Sequence, residues 1–196
     1  MKQEVYTKAQ IDKLGNAIVF LAGKIPSMTK TKLLKLIYII EELSVRKYGV
    51  PFFDLKFDVW KLGPVSRDLF VELSSEPVLL AEYIIREEAT DTTVIKPKQQ
   101  FSDDEFNDTE IKLLEEIAEK FRHSSANDLV LFTHRKHSPW YLTAQRNGLL
   151  EYFESGQMNA TDVEIDLSQL LEDQPEKLLF YKDHKEFIQQ SKRLKS

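Results

Sequence analysis

One stretch constrains the architecture of this chain more than any other. Between residues 29 and 48, Leu33, Leu36, Ile37, Ile40 and Leu43 fall on one face of a helix, and Leu34, Tyr38 and Val45 fall on a second. The pattern leaves Lys35, Glu42 and Arg46 as the residues expected to face water. A helix that is apolar on two sides has to be covered by several neighbours, so the fold must be built around it. Ser27 or Thr29 offers a start cap, and Gly49 offers a left-handed stop.

The remainder of the chain has the means to supply that cover. At 196 residues it is long enough to bury a core without covalent staples. It has no cysteine, which excludes disulfide scaffolds, thiolate zinc sites, iron–sulfur ligation and cysteine nucleophiles. Six glycines and seven prolines are few for a sandwich or barrel with many tight turns. The net charge is -5, made of a +4 surplus over residues 1–60 and a -9 deficit beyond. That is not the basic stripe of a nucleic-acid binder. The start, Met1-Lys2-Gln3-Glu4, lacks the apolar run of a signal peptide, and the longest apolar runs, such as residues 36–40, fall far short of the roughly 20 residues that span a bilayer. The expected location is therefore the cytoplasm, with no membrane partner.

Helical signals recur along the chain. Thr7 and Gln10 form a capping box before a helix expected over residues 8–24. Asn107 to Glu110 cap a helix carrying Ile111, Leu114, Ile117 and Phe121. Ser125 caps the next, and Ser138-Pro139 opens a short one that stops at Gly148. Gly63-Pro64 is expected to restart a helix, with proline at its first position. Thr161 to Glu164 reads as a second capping box, opening a helix to about Leu171. A last helix is expected over residues 176–194. Residues 55–60 alternate apolar and polar as a short strand does, residues 92–96 read as a second strand, and residues 78–89 fit either helix or strand. The expected fold class is thus mainly α (α+β): a single compact multi-helix domain around the 29–48 helix, with a small two-stranded β element and an extra C-terminal helix. Pro175 marks the boundary between a domain over residues 1–175 and a helical extension over 176–196.

Chemistry is sparse. Neither a G-x-S-x-G elbow, nor a glycine-rich phosphate loop, nor an H-E-x-x-H motif can be drawn from the residues. His134 and His137 are three apart, but Ser138-Pro139 breaks the helix there and no third metal ligand is implied; His134 is expected to hydrogen-bond a buried group. Adjacent acid pairs such as Glu41-Glu42 point in different directions on a helix and read as solvated surface. Trp60 and Trp140 read as core, with a partner surface as the sharper alternative. No catalytic residue, metal ligand or cofactor site is expected.

Several landmarks, taken in order, resemble one family. Lys32-Leu33-Leu34-Lys35-Leu36-Ile37-Tyr38 resembles its K-L-x-K-L-[LI]-Y helix, and Gly49-Val50-Pro51-Phe52-Phe53 its G-x-P-[LF]-F turn. Asp58-Val59-Trp60-Lys61-Leu62-Gly63-Pro64-Val65 is similar to its A-W-x-x-G-P-V hallmark. Ser125-Ala126, Leu129, Thr133-His134 and Pro139-Trp140 follow its S-A-x-x-L, T-H and P-W series. The family is the Panacea antitoxin domain, also described as SocA-like or as phage-associated GepA-type, and the resemblance spans residues 8–172. Asp58 departs from the small residue common before the Val/Ala-Trp pair, and residues 176–196 lie outside the pattern.

The resemblance implies a non-catalytic antitoxin of a bacterial or prophage toxin–antitoxin pair that neutralises a cognate toxin, encoded nearby, by direct binding. The motif residues Lys32, Leu36, Tyr38, Trp60, Gly63, Pro64, Val65, His134, Pro139 and Trp140 are expected to serve structure. Phe180, Phe187 and Ile188 of the last helix are candidate partner contacts, a single helix being able to lay an apolar face in a groove. The alternatives are an adaptor that delivers a partner to a protease and a DNA-binding transcriptional regulator.

Overall fold

A computed structural model describes residues 6–193. Helix α1 (Lys8–Lys24) starts on the Thr7/Gln10 capping box, and α2 (Lys30–Tyr48) starts on Thr29 and ends at Gly49 in the left-handed region, φ 74°. Helix α2 is the centre of the molecule, and Leu33, Leu36, Ile37, Tyr38, Ile39, Ile40 and Val45 are all fully enclosed. Helices α4 (Asp108–Phe121) and α5 (Ala126–Thr133) pack against it, each started by a reciprocal capping box, at Asn107/Glu110 and Ser125/Asp128. Ser138 caps α6 (Pro139–Arg146), and Gly148 turns the chain directly into α7 (Leu149–Glu154), which the residue pattern did not announce. Helix α8 (Pro175–Arg193) lies where the sequence places its last helix.

The chain is mainly α with a small β element, and that element is two antiparallel hairpins. Strand β1 (Asp58–Trp60) pairs with β2 (Gly63–Val65), and β3 (Ile84–Ala89) pairs with β4 (Thr92–Pro97). Residues 84–89, undecided between helix and strand on periodicity, are therefore strand.

Three expectations fail, each for a tertiary reason. Pro64 does not open a helix: it sits in β2 opposite Val59, and α3 (Arg67–Ser74) begins only after Ser66. Thr161 does not cap a helix. Its hydroxyl donates to the Val59 carbonyl, while Val163 and Ile165 exchange backbone hydrogen bonds with Val59 and Phe57, so the segment runs extended along β1. Only the short 3-10 helix Leu167–Leu171 follows, capped by Asp166. Lys35 and the Glu41-Glu42 pair do not face water; they are 2%, 1% and 1% exposed.

Glycine has a steric duty in the middle of α1. Gly15 is buried, and a Cβ there would run into the Tyr83 ring. Glycine to alanine in a helix interior normally stabilises by about 0.5–1 kcal/mol. Here Gly15→Ala should destabilise instead, by about 1–3 kcal/mol as overpacking does. Urea unfolding of the variant reads the sign.

Candidate functional site

The residues that carry the family resemblance come together at one end of α2. The β1–β2 hairpin lays Gly63-Pro64 across the helix, and Lys35 Nζ donates to the Pro64 carbonyl at 3.0 Å. Proline loses its N–H without cost here, because it is the carbonyl that the lysine uses. Gly63 has φ 99°, and a Cβ on it would lie 2.8 Å from Thr133 Oγ1 and 3.2 Å from Lys35 Nζ. Only glycine permits both the conformation and the approach. On the far side, Ser138 Oγ donates to the Thr133 carbonyl at 2.8 Å and accepts from the Tyr141 amide, which closes the turn into α6. The His134 ring stacks on Trp140 at 3.8 Å and 9°, and Trp140 Nε1 donates to the Trp60 carbonyl at 3.0 Å. Trp60 meets Phe70 edge-on at 5.0 Å.

Lys35, Trp60, Gly63, Pro64, His134, Pro139 and Trp140 thus form one interlocked cluster. Leu36, Tyr38 and Val65 are buried beside it, and Lys32 is half-buried in the first turn of α2. His134 does not make the expected hydrogen bond. Its Nε2 is buried without a partner among the described residues, and the turn is held by the Trp140 stack and by Ser138 instead. His137 is exposed with φ 66°. Among the described residues no group of three His, Cys, Asp or Glu could hold a metal ion.

Burial sets the protonation of this cluster. Desolvation pulls the Lys35 amine down to about 7. Desolvation, and then the nearby Lys35, pull His134 down to about 4. The Lys35 amine is thus neutral above about pH 7 and the His134 ring above about pH 4.

The two acids that the residue pattern read as solvated, Glu42 and Glu41, are each tied to named partners inside the molecule. Glu42 Oε1 accepts from Arg46 at 3.1 Å and from Arg135, whose guanidinium lies 4.2 Å over the Phe132 ring. Tyr38, one turn earlier on the same face, stands edge-on to Phe57 at 5.1 Å, with its hydroxyl buried and making no hydrogen bond among the described residues. Glu41, on the next face, is 1% exposed, and its Oε2 accepts from the amides of Phe52 and Phe53 at 2.9 and 2.7 Å. Burial raises the Glu41 carboxyl to about 7 against those two bonds. The spacing Tyr38, Glu42, Arg46 was the available signal for the first of these groups; nothing local marks the second.

Glu41 also lines a groove of about 630 Å³ roofed by α8. Helix α8 is held by half-buried Leu178 and Tyr181, by an ion pair from Lys185 to Asp54 at 2.6 Å, and by a hydrogen bond from Lys177 to the Arg46 carbonyl. Ile188 is half-buried on the inner side. Phe180 and Phe187, seven residues apart on the outer face, are 59% and 66% exposed, with Leu179 exposed beside them.

A family model described as "Antitoxin SocA-like, Panacea domain" matches residues 33–141, more than half of the chain. The match runs from α2 to α6 and contains the Lys35 cluster, while α8 lies outside it. No curated protein and no solved structure matches.

The Lys35 environment makes a pH prediction. With its folded value near 7 and its unfolded value near 10.5, the unfolded chain binds more protons between those limits, so Lys35 makes stability rise as pH rises from 7 to about 10.5. The stability difference between the parent chain and Lys35→Met should therefore move in the parent's favour across that window and stay flat below it. Denaturant unfolding of both proteins at pH 6, 8 and 10 measures it; an unchanging difference contradicts a buried neutral amine.

Proposed function

The chain belongs to the SocA-like Panacea antitoxin family, and on that premise we propose that it is a non-catalytic antitoxin that neutralises a cognate toxin by direct protein contact. The observation that carries this reading is the division of labour among its aromatic and charged residues. The motif residues are spent on internal packing, while Leu179, Phe180 and Phe187 form an apolar row in water on α8. Exposed aromatics of this kind anchor protein interfaces. The same helix lies outside the family match, which is where a partner-specific surface belongs when the scaffold is shared. Among the described residues no helix is long and apolar enough to cross a membrane. The net charge of -5 favours a protein partner over DNA.

Co-expression tests the reading. The product of the neighbouring reading frame should arrest growth when expressed alone and become harmless with this chain, and the two should co-purify. Phe180→Ala with Phe187→Ala should weaken that association at least tenfold, with little change in the unfolding midpoint, because both side chains stand in solvent. Harmless expression of the neighbour alone contradicts the proposal. A fall in partner abundance instead of a stable complex would favour the protease-adaptor alternative.

A further inference from the structure

The groove beneath α8 has chemistry that the apolar row on its outer face does not. Its floor and walls include Pro51, Leu55, Phe57, Ile165 and Leu167, which are apolar. Its polar lining is weighted to carboxylates: Glu41 at the base, Glu164 and Asp166 from the extended segment, and Glu186 from α8. Two lysines also line it, but Lys185 is tied to Asp54 at 2.6 Å and Lys182 is exposed.

Glu41 is the unusual member. A carboxylate 99% enclosed is normally fully satisfied. Here both amide bonds, from Phe52 and Phe53, fall on Oε2. The side chain lines the groove, and no arginine or lysine is bonded to its Oε1 among the described residues. The neighbouring phenol of Tyr181 reports the same field. Its ionisation is pushed upward by burial, and then by Glu41, Asp166, Asp54 and Glu164. Three of these, Glu41, Asp166 and Glu164, line the groove together with Tyr181, while Asp54 is already paired with Lys185; clustered carboxylates of this kind make a local negative potential.

We infer that the groove between α8 and residues 164–168 receives an arginine side chain presented by the partner protein, its guanidinium paired with Glu41. A guanidinium is planar, permanently charged and weakly hydrated, and it can bond several carboxylates at once, which a compact ammonium does less well. Its aliphatic stem suits the apolar walls. The volume falls within the range of side-chain and small-ligand sites. The inference rests on the protein-partner reading above and adds the chemistry of the anchor.

The test uses the whole purified chain and no toxin, so its failure and the failure of the antitoxin reading are separable. Amide-capped N-acetyl-arginine is titrated while backbone amide shifts are followed by NMR, with N-acetyl-citrulline amide as the uncharged isostere. The arginine probe should shift residues 164–168 and the inner face of α8, and citrulline should bind at least tenfold more weakly. Glu41→Gln keeps an oxygen for the Phe52 and Phe53 amides and removes the charge, so it should lower probe affinity at least tenfold. Exposed Glu164→Gln should lower it by a smaller factor. Equal binding of arginine and citrulline, or parent-like binding by both variants, would overturn the inference. So would much tighter binding of free arginine, with its own ammonium and carboxylate, which would mark a metabolite site and not a side-chain pocket.

Discussion

Three charged residues on one buried helix hold the rest of the structure to account. Lys35, Glu41 and Glu42 all lie on α2, and each is at most 2% exposed. A buried polar group left without a partner costs about 1–3 kcal/mol, and more when charged, so every one of them demands a partner fixed in place. Lys35 recruits the Pro64 carbonyl and with it the β1–β2 hairpin. Glu41 recruits the amides of Phe52 and Phe53, which sets the turn after α2. Glu42 recruits Arg135, which ties α2 to the loop after α5. Apolar packing alone would let these segments slide over the helix; the three polar contacts give each a defined seat.

This arrangement explains which parts of the fold could be read from residue order. Helices α1, α2, α4, α5 and α6 begin where Thr7, Thr29, Asn107, Ser125 and Ser138 cap them, because capping is a local interaction between residues two or three apart. The failures are the places where a distant partner outbid the local signal. Thr161 has the spacing of a capping box, yet its hydroxyl is taken by Val59, 102 residues away in sequence. Pro64 has the look of a helix start, yet Lys35 needs its carbonyl in a strand. Lys35 and Glu42 interrupt an apolar pattern and so look solvated; nothing in the spacing of α2 tells that Pro64 and Arg135 will cover them.

The candidate site was legible to a different degree. The motif residues could be named one by one, and the structure brings Trp60, Gly63, Pro64, His134 and Trp140 into a single cluster with Lys35. Its logic is mutual: Gly63 is required by Thr133, Pro64 by Lys35, and Trp140 by both His134 and Trp60. The groove beneath α8 is the opposite case, since it is assembled from residues 41 to 190 and no stretch of sequence announces it.

On the proposed reading the partner meets α8 and the groove beside it, and the Lys35 cluster is internal scaffold. Hydrogen–deuterium exchange of the free chain and of its complex with the neighbouring gene product measures this most directly. Protection on binding should rise over α8 and residues 164–168, and should be unchanged over residues 60–66 and 133–141. Protection concentrated on the β1–β2 hairpin and the turn into α6, with α8 unaffected, would contradict it.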